Sequence, residues 1–333
     1  MSYQRLATPK IYTCNIQYLL SVGKMATSDI TASGLSMASG STLHEMFDMK
    51  PSNVQTITAN GTNTAHYIKM DTNISTDSSQ DSNFVAILGH NFEDAGVKFR
   101  VQTDDTANFS GTPQTPTMTE VVNCDIASTY CVPGENGWSL FTFTQASDNM
   151  FIRIEIQSAS GNYDADIKIG AILVGETATV FPSSPDMNIT KQLLYDGVSL
   201  QNSVGGQTYS NASHVMKPNW GNYNPWENKT SSTLNTMATS GRMKVDMNWS
   251  YMADSDVFLE NHYDRADLST ETNLVSNLIQ RTHNSHIPFI FQFDKDTATA
   301  DDSFMLCRLA NEPTFNQVAH RTWNCDISLL EEF

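Results

Sequence analysis

Charged side chains are scarce in this sequence, since Asp, Glu, Lys and Arg make up only 17% of its 333 residues. Its polar character is carried instead by Ser, Thr, Asn and Gln. Glu, Lys and Arg are good helix formers, whereas Thr and aromatic residues fit pleated strands and Ser and Asn fit turns. This composition favours extended structure, and the sequence therefore predicts a mainly β protein.

Positive charge is the scarcer of the two signs. The chain has 19 Lys and Arg residues against 36 Asp and Glu residues, which gives a formal net charge of -17. A surface of this charge repels a phosphate backbone, so we predict no nucleic-acid partner. The excess negative charge favours solubility and keeps free subunits apart before assembly.

Long apolar runs are also missing. No stretch reaches the roughly 20 apolar residues that a membrane helix needs. No apolar segment of signal-peptide length follows the first ten residues, although Arg5 and Lys10 are there. We therefore expect neither a membrane span nor a secretion signal.

Cysteine is rare, with five residues at positions 14, 124, 131, 307 and 325. An odd number at wide spacing argues against a disulfide framework and against the spacing of zinc ligands. Cys124 and Cys131 are close enough to pair across a loop, but we predict a reduced, intracellular chain.

Catalytic signatures are missing as well. The sequence has no Gly-x-Ser-x-Gly elbow, no phosphate-binding Gly-rich loop and no His-Glu-x-x-His helix. Asp164 and Asp166 are interpreted as a solvated turn, because nothing near them sets their pKa values apart. His283 and His286 have the spacing of two metal ligands, but a third ligand is not evident near them. We predict a protein that is not an enzyme, with no catalytic residue, no cofactor and no metal.

Strands are predicted along the first half of the chain. Residues 84–88 form a continuous apolar run, which is typical of a strand buried on both faces. Residues 97–102 and 152–157 alternate apolar and polar side chains, as half-buried strands do. A further strand is predicted at 167–174, where Gly170 interrupts the pattern.

The last hundred residues show the same alternation with one interruption. Residues 243–251 alternate over a long strand, and 288–293, 304–309 and 323–329 are predicted as further strands. Between them, the apolar residues of 274–279 are spaced for one face of a helix. This region is therefore predicted as an antiparallel β-domain with one inserted helix.

A boundary is predicted at residues 181–185, because the sequence Phe-Pro-Ser-Ser-Pro is stiff and poorly suited to a sheet interior. The chain is thereby divided into a β-rich domain at 1–181, a connector with an aromatic-rich arm at 182–240, and a second β-domain at 241–333.

Four aromatic residues of the arm are candidates for a protein interface, namely Tyr209, Trp220, Tyr223 and Trp226. Gly, Asn and Ser residues surround them, so this segment cannot build a core of its own. Aromatic residues are enriched at interfaces. They also stack on sugar rings or fold back over a core, and these alternatives stay open.

His90 and Asn91 follow the buried strand in a Gly-His-Asn turn. Loops of a β-sandwich carry binding sites, so both residues are candidates for contact with a ligand. The alternative is that His90 is a loop residue that bonds to the backbone.

Residues 84–101, with the sequence FVAILGHNFEDAGVKFRV, resemble the galactose-binding-like jelly rolls found in structural proteins of tailed bacteriophages. Those domains show an apolar strand, a Gly-His-Asn turn and an alternating strand in this order. The C-terminal region resembles the β-domains with which phage tails build rings. There, too, a long strand like 242–251 precedes a helix, and the last strand, like 323–332, is aromatic and ends in acidic residues.

The resemblance implies a jelly-roll β-sandwich at 1–181 and a ring-forming β-domain at 241–333. It also implies a structural protein of a virion tail or baseplate, made in the host cytoplasm, whose partners are copies of itself in a ring and other tail proteins. The alternative is a module on the particle surface that binds a host glycan or receptor. No sugar site is carried over, because the family's variable loops do not match residue by residue. A glycan hydrolase is the third hypothesis.

Overall fold

The computed structural model describes residues 7–72, 82–109, 113–144, 149–195, 200–210, 241–258, 273–296 and 303–332. Over these residues the chain is mainly β, which confirms the prediction from composition.

The strands of the first half are β1 (Lys10–Cys14), β2 (Ile30–Ser33), β3 (Gln55–Ile57), β4 (His66–Asp71), β5 (Phe84–His90), β6 (Val97–Asp104), β7 (Met118–Val122), β8 (Asp125–Ala127), β9 (Tyr130–Val132), β10 (Gly137–Phe143), β11 (Phe151–Ser158), β12 (Ile167–Ile169) and β13 (Ala171–Ala178). The strands of the second half are β14 (Thr190–Leu194), β15 (Leu200–Asn202), β16 (Thr208–Ser210), β17 (Arg242–Ala253), β18 (Phe289–Gln292), β19 (Phe304–Leu309), β20 (Thr314–Ala319) and β21 (Thr322–Glu331). The helices are α1 (Asn15–Ser21), α2 (Asp254–Val257) and α3 (Val275–Gln280), of which α3 is wound as a π-helix. Single turns of tighter helix lie at Thr27–Asp29 and His44–Phe47.

Two sheets pack face to face as a jelly-roll sandwich in the first half. One layer contains β1, β13, β5, β10 and β7 in this order, and the other contains β2, β4, β11, β6, β9 and β8. Strand periodicity decides which side chains enter the core: in β11, Ile152, Ile154 and Ile156 are fully buried. All residues of β5 are buried, as its continuous apolar run predicts. The predicted jelly-roll sandwich is confirmed.

The first layer continues past β1 into the second half of the chain. On one side of β1, Ile11 pairs with Ala178 of β13, and on the other side it pairs with Phe291 of β18. The same sheet then runs on through β19, β21, β17 and β14, and β20 pairs with β21. Strand β1 therefore joins both halves through backbone hydrogen bonds.

Two hydrophobic cores lie along this shared sheet. Phe181, which the predicted boundary assigns to the first domain, belongs to the core of the second half. Its ring stacks on Trp249 with the ring centroids 4.3 Å apart. The domain limits at 181 and 240 stay predictions. Ile11 and Tyr12 of β1 belong to different cores, so the two cores lie on opposite faces of the shared sheet.

The shared sheet is strongly curved. The rings of Trp138 in β10 and Phe304 in β19 meet edge to face with their centroids 5.4 Å apart. Four strands lie between β10 and β19 in the sheet order, and neighbouring strands are about 4.8 Å apart. The two rings can therefore touch only because the sheet bends back toward its own surface.

The prediction of a reduced chain is wrong for one pair of cysteines. Cys124 and Cys131 form a disulfide with their Cα atoms 5.0 Å apart. The β8–β9 hairpin explains the pairing, because it brings both ends of a short loop to the same side of the sheet, where both residues are buried. Cys14, Cys307 and Cys325 are free and buried.

Candidate functional site

The outer surface of the second sandwich layer carries an unusual set of side chains. Inward positions such as Ile68, Phe99 and Ile154 fill the core, so the residues between them point away from it. We call this outer surface the cation–aromatic face, and it is formed by Tyr67, Lys69, Lys98, Arg100, Gln102, Phe109, Tyr130, Arg153 and Glu155.

The charge of the cation–aromatic face is opposite to that of the whole chain. It holds four basic side chains and one carboxylate, that of Glu155, whereas the chain carries a net charge of -17. Asp71 and Asp104 flank the face at one end, where they lie opposite Phe151 of β11. The local charge of this face therefore favours an anionic ligand, in contrast to the net charge of the chain.

In one half of the face, the hydrogen-bonding groups around Glu155 are paired with one another. The Arg100 Nε donates to the Glu155 carboxylate at 2.7 Å, and the Tyr130 hydroxyl donates to its other oxygen at 3.0 Å. The Arg100 guanidinium also lies 4.4 Å from the centre of the Tyr130 ring. Burial, followed by the neighbouring Glu155 charge, raises the pKa of Tyr130 to about 12, so its hydroxyl keeps its proton at neutral pH. These contacts fix the donors of this half in place.

The other half is built around Arg153. Its guanidinium lies between two rings, 4.6 Å from the centre of Tyr67 and 4.4 Å from that of Phe109. Its Nε donates to the Gln102 amide oxygen at 2.8 Å, and the Gln102 amide nitrogen donates to the Thr115 hydroxyl at 3.2 Å. The Arg153 guanidinium, the Gln102 amide and the two rings therefore hold one another in place on the outer surface of the sheet.

Phe109 reaches this surface from the connection between β6 and β7. Its backbone φ is +51°, a left-handed conformation that bulky residues seldom adopt. A pair of backbone hydrogen bonds between Thr103 and Gln114, both 2.9 Å, closes the connection onto β6. The Phe109 ring is buried although it lies on the outer side of the sheet.

His90 and Asn91 are both engaged within the protein. The His90 ring is 1% exposed, stacks on Phe92 and has its Nε2 2.9 Å from the Ser139 hydroxyl. Its burial lowers its pKa to about 3. The Asn91 side chain donates to the Asp166 carbonyl oxygen and accepts from the Lys168 amide. This geometry gives both residues a structural role, and contact with a ligand stays an unsupported hypothesis.

Of the four interface candidates, only Tyr209 lies within the described residues, and Trp220, Tyr223 and Trp226 lie outside them. The Tyr209 side chain is 56% exposed in the β15–β16 hairpin. It belongs to a group of large exposed apolar side chains between β13 and β17, formed by Met187, Leu193, Tyr195, Leu200, Val204 and Tyr209. We call this group the connector surface.

Among the described residues, the two histidines with metal-ligand spacing belong to no group that could hold a metal ion. The His283 Nε2 lies 2.6 Å from the Ser21 hydroxyl, and its ring stacks on Tyr18 of α1. In the part of the chain that the structure describes, no group of three or more His, Cys, Asp or Glu side chains could hold a metal ion. Absence of metal and cofactor stays a prediction.

No helix among the described residues is both long and apolar enough to span a bilayer.

Sequence reasoning missed the cation–aromatic face, although part of its signal is local. The alternation at 97–102 and 152–157 places Lys98, Arg100 and Arg153 at outward positions, in a chain with few basic residues. This concentration of positive charge could have been noticed. The arrival of Phe109 and Tyr130 on the same surface depends on tertiary structure and has no local signal.

No protein-family model and no curated protein matches the chain. Among solved structures, it is similar to a chitosan-binding module of a chitosanase/glucanase from Paenibacillus sp. IK-5, with 20% identity and a TM-score of 0.29 over 44% of this chain and 92% of that chain. It is also similar to CBM32-3 from a family 31 glycoside hydrolase of Clostridium perfringens, with 13% identity and a TM-score of 0.30 over 45% of this chain and 93% of that chain. Both likenesses cover less than half of this chain.

Proposed function

We propose that this protein is a non-catalytic carbohydrate-binding protein and that its cation–aromatic face holds the ligand. The observation that carries the proposal is the arrangement of Arg153 between the Tyr67 and Phe109 rings, beside the fixed Arg100–Glu155–Tyr130 unit. Sugar rings present an apolar face to aromatic side chains and hydroxyl groups to planar donors, and this surface offers both.

Preorganisation favours binding at this face. Arg100 is held by Glu155 and by the Thr129 hydroxyl, and Arg153 is held by Gln102 and two rings. Side chains that are already immobilised lose little rotamer entropy when a ligand arrives. Tyr67, Tyr130, Lys98 and Arg100 are half-buried, so each retains surface that a ligand can cover.

The chemistry of the face argues for binding rather than catalysis. A glycosidase requires two carboxyl groups flanking the scissile bond. The central part of the face has only Glu155, and its two oxygens are occupied by Arg100 and Tyr130. Glu155 thus acts as a positioning residue for a donor.

The test is a glycan array probed with the full chain, followed by calorimetric titration of the glycans that bind. The full chain is needed because the two halves share β1. Tyr67→Ala is expected to weaken binding about tenfold, since a stacking ring contributes on the order of 1 kcal/mol beyond its buried area. Tyr251→Ala is the matched control, because Tyr251 is 79% exposed in β17 and lies outside the face. Failure of the wild-type chain to bind any glycan would refute the proposal.

Self-assembly is a second candidate function, and the connector surface favours it. Its large apolar side chains are exposed, with Val204 and Met187 fully so. Exposed apolar side chains that lie together mark interaction surfaces, and these six follow one another along residues 187–209. The β15–β16 hairpin is a separate two-stranded sheet, which is marginally stable by itself. Contact with a second copy would cover these side chains, and a ring in a virion tail with other tail proteins is the form of assembly that the sequence resemblance suggests.

Native mass spectrometry over a range of protein concentrations tests this second candidate. Assembly through the connector surface predicts an oligomer that dissociates when Leu200 and Tyr209 are both changed to Lys. Because both side chains are exposed, the melting temperature of the dissociated subunit should match that of the wild-type chain at low concentration. A wild-type chain that stays monomeric at high concentration would exclude self-assembly.

A further inference from the structure

Two like charges face each other at the centre of the cation–aromatic face. Arg153 of β11 lies directly opposite Lys69 of β4, and both side chains point outward. Both cations also approach the same Phe109 ring, at 4.4 Å for the Arg153 guanidinium and 5.9 Å for the Lys69 ammonium. Like charges directly opposite in an antiparallel pair are destabilising. The fold therefore keeps a pair of cations that costs it stability.

Within the described residues, neither of these cations makes an ion pair. The neighbouring Arg100 is neutralised by Glu155, whereas the Arg153 Nε donates to the uncharged Gln102 amide. The terminal nitrogens Nη1 and Nη2 of Arg153 make no hydrogen bond to another described residue. Burial lowers the pKa of Arg153, because its guanidinium has lost part of its hydration. A bound anion would compensate the Arg153 guanidinium for the hydration that burial has removed.

Of the acidic groups near the pair, Asp104 and Asp71 lie at the end of the face, and one oxygen of Asp104 is committed to a neighbouring residue. An Asp104 carboxylate oxygen accepts hydrogen bonds from the Thr106 amide and hydroxyl, both at 2.9 Å. Asp71 lies two residues beyond Lys69 on β4. The side of the pair that faces Tyr67 and the β2 strand carries hydroxyl groups, since Thr31 lies opposite Lys69 and Ser33 opposite Tyr67.

We propose that Arg153 and Lys69 bind the carboxylate of an acidic sugar residue, a uronic or sialic acid, within the glycan that the face holds. This inference rests on the proposed carbohydrate-binding function. The planar guanidinium matches a carboxylate through two parallel hydrogen bonds, and the Lys69 ammonium adds a point charge. The Tyr67 ring and the hydroxyls of β2 are placed to meet the remainder of the sugar.

The net charge of the chain favours a sugar that carries isolated carboxylates over a dense polyanion. A chain with a net charge of -17 repels a nucleic acid or a heavily sulfated polymer at distances beyond the local patch. One carboxylate per sugar unit experiences the local cations without that penalty. The surface is therefore assigned to glycans and not to nucleic acid.

Calorimetric titration of the full chain with matched probes tests the assignment. The probes are sialyllactose against lactose, and a hyaluronan hexasaccharide against its carboxyl-reduced form. We expect the acidic member of at least one pair to bind about tenfold tighter or better, as a hydrogen-bonded charge does. Arg153→Gln should abolish this preference, and Lys69→Gln should reduce it. Lys24→Gln, at an exposed lysine in the turn after α1 and outside the face, should leave it unchanged.

Each alternative outcome has a distinct meaning. Equal binding of the acidic and neutral probes overturns the carboxylate assignment but leaves carbohydrate binding intact. A single-stranded oligonucleotide that binds as tightly as the acidic sugar, and in an Arg153-dependent manner, overturns the choice of a glycan. The melting temperature separates binding from folding: Lys69→Gln removes one of two opposed charges, so it should not lower the melting temperature. A preference that survives both substitutions excludes this pair as the site.

Discussion

The guanidinium of Arg281 lies 2.6 Å from the carboxylate of Glu176, and the Arg281 side chain is 1% exposed. Arg281 follows α3 in the second half of the chain, and Glu176 belongs to β13 of the jelly roll. Arg281 also donates to the side-chain oxygen of Asn15, at the start of α1, at 2.5 Å. A buried ion pair thus fastens the two halves beside the strand that they share.

Arg281→Met is expected to destabilise the protein by about 3 kcal/mol, because a carboxylate that has lost its partner stays largely buried. Burial already raises the pKa of Glu176, and Arg281 is the group that opposes this shift. Urea denaturation measures the effect, and Glu176→Gln in the same background should recover much of the loss. Additive effects of the two substitutions would show that the pair is not coupled.

Because the His90 ring is buried, we expect the protein to lose folding stability in mild acid. Its folded-state pKa of about 3 is well below the unfolded value of about 6.5, so its contribution is complete above pH 6.5 and is lost as the pH falls. Between pH 7 and pH 5 this loss amounts to about 2 kcal/mol, since one pKa unit corresponds to about 1.4 kcal/mol. Denaturation at several pH values measures it.

His90→Gln should remove this part of the pH dependence, because glutamine does not titrate and can keep a hydrogen bond to Ser139. His44→Gln is the matched control, since His44 is exposed. His66 contributes in the same direction, because burial lowers its pKa too, so some dependence should remain. A normal His90 pKa measured by NMR would contradict the buried, neutral ring.

The Cys124–Cys131 disulfide predicts how many cysteine thiols can be labelled before and after reduction. Maleimide labelling of the denatured, unreduced chain should modify the three free cysteines, and prior reduction should raise the number to five. Closing a loop of this length contributes roughly 2–3 kcal/mol in the chain-entropy treatment, so reduction should lower the stability by about that amount. Labelling of all five cysteines without a reductant would rule out the disulfide.

The close packing around Gly175 predicts that the contact between β1 and β13 does not tolerate an added side chain. A Cβ atom at this position would come within 1.9 Å of the Thr13 carbonyl oxygen and 2.6 Å of the Asn15 amide. Gly175→Ala should therefore push β1 away from β13 and lower the melting temperature by several degrees or more. Gly205→Ala is the control, because a Cβ atom there would have only the Ser203 hydroxyl near it, at 3.9 Å. Equal melting temperatures for the two variants would contradict the close packing at β1.

The features that sequence predicted well are those encoded within one strand. The buried run of β5 and the alternation of β6, β11 and β17 are local patterns, and each was located within a few residues. The role of β1 was not predicted, since five residues carry little periodicity and one of their two partners lies in the second half of the chain. The pairing of two distant segments cannot be read from the apolar–polar pattern of either segment.

His90 shows why the local pattern placed the end of β5 too early. The Gly-His-Asn sequence is typical of a turn, but the positive φ of Gly89 lets β5 continue through His90. A Cβ at Gly89 would approach the Pro51 carbonyl oxygen to 3.0 Å, so the backbone passes close to another loop here. Tertiary contact, and not the turn sequence, decides that the His90 ring enters the core.

The shared strand has a consequence for synthesis on the ribosome. Tyr12 and Gln292, whose side chains are hydrogen-bonded across β1 and β18, are 280 residues apart. Strand β1 can pair with β13 once the jelly roll is complete, but its other edge stays open until β18 has been made. Such an edge pairs readily with a neighbouring nascent chain. The order of translation therefore leaves the open edge of β1 exposed to misassembly until β18 has been made, and crowding on a polysome should increase this misassembly.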